Sequence, residues 1–428
     1  MLTRCFSRIC SIILPLLYTL ATVNTAEASS PPAAISVASG NFHTCALWAP
    51  TGQTVGTYVS CWGRNDYGQI GIPPASSNLT TGSLPVQTIP AGVQGISSGG
   101  IKQLSVGGHF GCVLLTSGQV QCWGNNGLGQ LGTYPSAPYY SSTAVTVPGY
   151  GSSHPAVQIA AGGDHVCALD SNGWVSCWGS NQEIQLGSYV GIFSSTPVSV
   201  SLPGKALSIT AGDSSSCAVL SGSPSNTLYC WGDFAPTLSW GSNNPPIQMS
   251  TSNINPTQIS AGLDFLCGIT SSAGLEDCWG GNEVGQFGDG WTGQNAWAPL
   301  QSGPSAVSSL ATGPERTANC SISTGSFYTS GSLYCWGNNG NGQVGDNKTE
   351  SIAYTPHLIL SGGFLSGPIS VSGGYQHTCA LATTLKSNSS TGSLYVAYNI
   401  YCWGDNSVGQ YGNGTTVSSN APVLVYSH

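Results

Sequence analysis

Charge is what this sequence has least of: Asp, Glu, Lys and Arg together make up 6% of its 428 residues. Beyond residue 28 there are six Lys/Arg against fifteen Asp/Glu, a formal net charge of −9. Neutralising nucleic-acid phosphates takes a clustered basic patch. Six scattered cations build none, so nucleic acid and anionic membrane surfaces are excluded as partners. Phosphate loops, Gly-x-Ser-x-Gly elbows and His-Glu-x-x-His helices are missing too. So are the CxxC and Cys/His clusters that hold zinc; no cofactor and no metal is expected. A second long apolar run is also lacking. The single such run, from Ile9 to Leu20, follows Arg4 and Arg8 and precedes Ala26-Glu27-Ala28. That is the layout of a secretory signal peptide cleaved after Ala28, and the run is shorter than the roughly 20 residues of a membrane span. The expected organisation is a signal peptide over 1–28 and one domain over 29–428, with the mature chain secreted or at the cell surface.

What the chain does have is cysteine in a fixed context. The segment from Ala161 to Gly187 holds two alternating, β-prone runs, Val166 to Leu169 and Trp174 to Cys177, around Ser171-Asn172-Gly173. A three-residue hairpin loop wants φ > 0 at its last position, which glycine supplies without steric cost. Counting outward from that turn sets Leu169 opposite Val175, Ala168 opposite Ser176 and Cys167 opposite Cys177. Opposed residues of a non-hydrogen-bonded antiparallel pair have Cα atoms about 4.5 Å apart, within reach of a disulfide. The register therefore predicts a disulfide-clamped hairpin.

The same object occurs seven times, each with a Cys-Trp-Gly and one upstream cysteine: Cys45 with Cys61, Cys112 with Cys122, Cys167 with Cys177, Cys217 with Cys230, Cys267 with Cys278, Cys320 with Cys335 and Cys379 with Cys402. Removing residues 1–28 removes Cys5 and Cys10, so every remaining cysteine is assigned and none is left for catalysis. Disulfides in this number fit an oxidising, extracellular compartment.

Each repeat carries a Pro-Val-like strand, an Ile-Ser-Ala-Gly-like strand, the clamped hairpin and a tail of the form Asn-x-x-Gly-Gln-x-Gly, as in Gly129-Gln130-Leu131-Gly132. The fourth repeat lacks the tail, which predicts the most irregular unit there. Four short strands repeated seven times read as an all-β, seven-bladed β-propeller of four-stranded blades. Repeat one begins at Ile35-Ser36-Val37 and the chain finishes with Pro422-Val423-Leu424-Val425. The expectation is that this C-terminal strand completes the first blade and closes the ring.

The pattern Gly-x-x-His-x-x-Ala-Leu, a turn, then Trp-Gly-x-Asn-x-x-Gly-Gln-Leu-Gly resembles the repeat of the regulator of chromosome condensation family. The resemblance covers the chain beyond residue 28 and implies a seven-bladed propeller. The cysteine-bearing form is similar to secreted bacterial members and to crinkly-type receptor-kinase ectodomains. By fold family it also resembles the propeller-type β-lactamase inhibitor proteins, which implies binding a partner through loops on one face. The signal peptide, the cysteines and the acidic, charge-poor composition depart from the nuclear, exchange-factor role of the family's namesake.

Candidate chemistry is sparse. His43, His165 and His377 stand two residues before a hairpin cysteine and His109 three before; a position recurring once per blade reads as a structural hydrogen-bonding group. Asp164, Asp213, Asp289 and Asp346 suit turns, where the side chain bonds the local backbone. No catalytic residue is assigned. The tryptophans of Cys-Trp-Gly repeat with the fold and read as packing residues. Aromatics outside that pattern are the candidate binding residues: Tyr134, Tyr139 and Tyr140 after the second hairpin, Tyr189 and Phe193 after the third, Trp240 after the fourth, and Trp291 and Trp297 after the fifth. Loops on a rigid scaffold carry function disproportionately, and Trp and Tyr are enriched at binding hot spots. The function expected is a non-catalytic scaffold for an extracellular protein partner, the alternative being a lectin-like, glycan-binding propeller.

Overall fold

The computed structural model describes residues 32–74, 81–82, 92–135, 138–222, 225–233, 246–249, 256–270, 274–293, 296–302, 304, 306–313, 318–323, 331–362, 366–389 and 392–427. The hairpin that the turn length predicts is present. Cys167 pairs with Cys177, Ala168 with Ser176 and Leu169 with Val175. Gly173 has φ +85°, and Asp170 Oδ1 accepts the backbone N–H of both Asn172 and Trp174, which closes the turn. The homologous pairing recurs in all seven hairpins, where the cysteine sulfurs stand at bonding distance and the Cα atoms 4.0–4.1 Å apart.

Seven four-stranded antiparallel sheets result, each built from strands consecutive in the chain. Blade 1 runs from Ala33 to Gly82, blade 2 from Ile101 to Thr146, blade 3 from Ala156 to Ser199 and blade 4 from Ala206 to Gln248. Blade 5 runs from Pro256 to Ser302, blade 6 from Val307 to Leu360 and blade 7 from Gly367 to Ser427. No helix occurs among the described residues. The fold is a seven-bladed β-propeller.

The strand frame corrects one expectation. The C-terminal strand Ser419–Ser427 pairs with Leu394–Gly404 of its own blade, Cys402 opposite Val423, and not with blade 1. The reason lies in the Pro-Val segments: they are outer strands of the repeat that precedes them, as Cys122 opposite Val145 and Cys177 opposite Val198 show. No strand is left over to exchange. The ring closes instead through side chains, with Val37, Ala46, Trp48 and Trp62 of blade 1 packed in one cluster with Leu381, Ile400, Tyr411 and Val425 of blade 7. Irregularity is shared as well: the outer strand is two residues long in blade 4, Ile247–Gln248, and also in blade 1, Thr81–Gly82.

The repeated motifs are two halves of one inter-blade latch. The indole N–H of Trp62 donates to the Gln410 carbonyl, Trp123 to Gln69, Trp178 to Gln130, Trp231 to Gln185, Trp336 to Gln286 and Trp403 to Gln343, all at 2.8–2.9 Å. Each glutamine belongs to the tail of the preceding blade. The tail is held open for this by its own side chains: Asn126 Oδ1 accepts the Leu131 N–H and Gln130 Oε1 the Leu128 N–H, and the same pair of bonds recurs around Asn65, Asn181, Asn282, Asn339 and Asn406. These tryptophans are buried. Removing roughly 200 Å² of indole from water stabilises each seam by at most about 5 kcal/mol.

Candidate binding face

Connectivity gives the ring two unlike faces. One, the loop face, carries the links from first to second strand and the long connections from third to outer strand. The other, the hairpin face, carries the clamped turns and the links between blades. The innermost strands end on the loop face, where a central cavity of about 220 Å³ is lined by their last residues, among them Ser39, Val106, Ala161, Ala211, Ala261 and Gly373. Around its mouth the first-to-second-strand links of blades 7, 1, 2, 3 and 4 each touch that of the next blade. Asn41 N–H donates to the Gly108 carbonyl and Gly108 N–H to Gly163. A Cβ at Gly40, Gly162 or Gly374 would stand 2.3–2.4 Å from the neighbouring blade's glycine carbonyl. Only glycine lets the backbones approach this closely.

The histidines beneath this rim act as the repeat position implies. His165 Nε2 is 2.8 Å from Ser216 Oγ of blade 4, and His377 Nε2 is 2.8 Å from Thr44 Oγ1 of blade 1. Both hydroxyls donate onward to a tail carbonyl, Gln185 and Gln410. Burial pushes His165 and His377 down to about 4 and His43 to about 3. The position that faces His43 in blade 2 is Gly111, which has no hydroxyl, and neither ring nitrogen of His43 has a partner.

Four of the eight candidate aromatics project from the loop face. Tyr134 is 78% exposed, Trp291 68%, Tyr189 61% and Tyr139 54%. Tyr139 adopts φ +61°, a conformation a bulky residue rarely holds, while its carbonyl accepts the Asn126 N–H at 2.8 Å. Tyr140 and Phe193 are not in connections: they open the outer strands Tyr140–Thr146 and Phe193–Ser199 and are partly buried. Trp297 likewise falls within a strand, Ala296–Ser302, and Trp240 lies outside the described residues. The carboxylates sit in turns. Asp289 Oδ1 accepts the Trp291 N–H, and Asp346 accepts the Lys348 N–H while its other oxygen is 2.5 Å from His357 Nδ1.

Sequence reasoning missed a second aromatic group at the mouth. Phe42 meets Tyr375 edge-on at 5.6 Å and stacks with His109 at 6.5 Å, and Tyr67 lies 5.5 Å from His109. The Arg64 guanidinium sits 5.4 Å over the Phe42 ring and pairs with Asp66. These residues come from three blades, and no local pattern connects them. Also missed was Glu276, buried where other blades hold Val59, Val120, Val175, Leu228, Leu333 or Ile400. Its Oε1 accepts from Asn319 Nδ2 at 3.0 Å, and burial pushes it up to about 8. Cys267, Glu276 and Cys278 bring three potential metal-binding atoms within 4.8 Å, but both sulfurs belong to the cysteine pair.

Comparison with known proteins fits this geometry. The regulator of chromosome condensation (RCC1) repeat matches residues 117–169 and 330–381, and a second description of that repeat matches 101–130 and 156–185. The ultraviolet-B receptor UVR8 of Arabidopsis thaliana is 27% identical over 327 residues, covering 73% of this chain and 67% of its own length. The guanine nucleotide exchange factor SRM1 of Saccharomyces cerevisiae is 29% identical over 180 residues, 36% of this chain; the chain spans only 35% of that protein. Among solved structures, yeast RCC1 (Prp20) bound to Kap60 superposes with a TM-score of 0.68 over 93% of this chain and 84% of that one at 19% identity. Human WBSCR16 does so with 0.62 over 85% and 92% at 18% identity. The matched segments are regulator of chromosome condensation repeats, and the seven-bladed ring superposes on solved propellers of that kind.

Proposed function

We propose that this protein is a secreted, non-catalytic scaffold that recognises a protein partner through the loop face. The observation that carries the reading is the placement of Tyr134, Tyr139, Tyr189 and Trp291, all exposed and all in connections on that side of a ring latched at its seams. Large aromatic side chains bury much area at low entropic cost, which makes them the usual anchors of a protein interface. Related propellers offer a precedent: yeast Prp20 is described bound to Kap60 and binding Gsp1p and histones. The expected signal peptide over 1–28 and seven cysteine pairs at bonding distance support an oxidising, extracellular setting. No helix among the described residues is long and apolar enough to cross a membrane.

The test is affinity capture with the oxidised mature protein against cell-envelope and secreted extract, beside a variant carrying Tyr134→Ala, Tyr139→Ala, Tyr189→Ala and Trp291→Ala. One protein retained by the wild type and lost from the variant supports the reading. The recurrence of aromatics in successive connections also suits the stacking faces of a multivalent glycan binder, and material eluted by free sugar alone would favour that second reading.

A further inference from the structure

Blade 7 differs from the other six in the length of its hairpin. Its second and third strands, His377–Ser387 and Leu394–Gly404, are eleven residues each, against five to seven in the other blades. They pair without a break from His377 opposite Gly404 to Ser387 opposite Leu394. Their neighbours stop short: the first strand reaches only to Thr383 and the C-terminal strand only to Asn399. The last four pairs, Thr384 with Ala397 through Ser387 with Leu394, therefore have no third strand among the described residues. They form a two-stranded arm that projects roughly 13 Å on the hairpin side. The Asn388 N–H, donating to the Ser393 carbonyl at 2.8 Å, closes its tip.

One side of the arm is a core stripe that runs out into solvent. Alternate residues of a strand share a face, so Cys402, Ile400, Tyr398, Val396 and Leu394 point the same way. Cys402 and Ile400 are buried in the cluster between blades 7 and 1, and Tyr398 packs against it. Val396 is half-buried and Leu394 is 67% exposed. The other side is tied down: Asn399 Nδ2 donates to Thr384 Oγ1 at 2.8 Å and Lys386 Nζ to Ser427 Oγ at 2.7 Å. The edge is open as well. Cys379 and Cys402, with Cα atoms 4.1 Å apart, are a non-hydrogen-bonded pair. Two-residue steps along the unbroken register give Leu385 with Val396 and Ser387 with Leu394 the same character. The N–H and C=O groups of Val396 and Leu394 therefore point away from their own hairpin, to the side where the C-terminal strand no longer reaches. An edge strand that carries no proline and no charge is a template for another strand.

We infer that this arm pairs edge to edge and antiparallel with the arm of a second copy of this chain, giving a weak, twofold-symmetric dimer. Antiparallel pairing about Val396 sets Val396 against its own counterpart and Leu394 beside Tyr398 of the second copy. Apolar then meets apolar along the exposed stripe, as an isologous contact requires. Lys386, the one charge between residues 384 and 397, lies on the inner strand and on the opposite side, so no like charges are opposed. The paired stretch is short, well below the roughly 800 Å² per partner of a standard interface, which makes the dimer reversible rather than obligate. The arms stand on the hairpin face and leave both loop faces open. The inference therefore does not rest on the proposed protein-binding role.

The test is sedimentation velocity of the oxidised mature protein over a concentration series, beside Val396→Pro, Val396→Glu and, as a control on the same face, Trp174→Ala. Proline is informative because the Val396 N–H takes no part in the arm's own ladder. Glutamate brings like charges together at the twofold. Coincident melting curves verify the ring. The expected result is a reversible dimer with a dissociation constant about micromolar or weaker. Either Val396 substitution should weaken it about tenfold or more, and Trp174→Ala little. An equimolar mixture of Val396→Glu and Val396→Lys should recover the dimer that neither forms alone. A wild-type chain that stays monomeric up to about 1 mM, a mixture that stays monomeric, an unaltered dimer in both Val396 variants, or equal loss in Trp174→Ala would overturn the inference.

Discussion

The seam between blades 7 and 1 and the seam between blades 5 and 6 use the same latch over opposite interiors. In the first, Trp62 and Thr44 both donate to the Gln410 carbonyl, and Ile400 and Ala46 fill the space beneath. In the second, Trp336 donates to Gln286, but Glu276 stands at the place of Ile400, Asn319 at that of Thr44 and Ser321 at that of Ala46. The polar replacements come as a set because a buried carboxyl needs a donor, and Asn319 supplies one to Glu276 Oε1 while it also reaches the Gln286 carbonyl at 3.4 Å. The latch carries the fold, and the layer under it tolerates change only when neighbours on both blades change together.

The largest effect should come from the latch itself. Trp62→Ala and Trp336→Ala each remove a buried indole and one of the two donors to a tail carbonyl, and each should cost about 3–5 kcal/mol in denaturant unfolding. A near-zero cost at either seam would mean that the latch is not what holds neighbouring blades. Next come the clamps. Each cysteine pair closes a short loop, worth roughly 2–3 kcal/mol in the chain-entropy picture, so verified reduction should lower the melting temperature strongly; an unchanged curve would contradict the clamps. Converting the second seam to the first, with Glu276→Ile, Asn319→Thr and Ser321→Ala together, should stabilise by about 1–4 kcal/mol, as when other buried polar groups give way to packed apolar ones.

The smallest effect is the pH profile. The unfolded chain releases the Glu276 proton near 4.5 and the folded seam keeps it to about 8. The folded state therefore holds the extra proton between those values, and stability falls as pH rises through them. His43, His165 and His377 act in reverse: the unfolded chain takes up protons near 6.5, the folded one only near 3 to 4, so stability falls as pH drops below 6.5. Stability should peak near pH 6.5, and Glu276→Gln should flatten the alkaline side and steepen the acid side between 4.5 and 6.5. A wild-type profile level from 6.5 to 8 would remove the buried acid from this account.

What the sequence made legible was local. Turn length set the register of Cys167 with Cys177, and the repeat set the blade count. What it could not make legible was how repeats meet. Trp178 and Gln130 are forty-eight residues apart, so each motif was visible and their complementarity was not. The same limit misplaced the Pro-Val strands, because a strand between two hairpins carries no mark of which it joins; Cys402 opposite Val423 decides it. Tyr375, Phe42 and His109 escaped notice for the same reason, being neighbours only once the ring closes.

One comparison of faces tests the central claim most directly. The captured partner's affinity should be measured against two sets of substitutions to Ala, Tyr134, Tyr139, Tyr189 and Trp291 on the loop face, and Trp174, Leu394 and Tyr395 on the hairpin face, where large apolar side chains are exposed too. Loss confined to the first set is the expected result. Loss confined to the second would place recognition on the hairpin face and contradict the account.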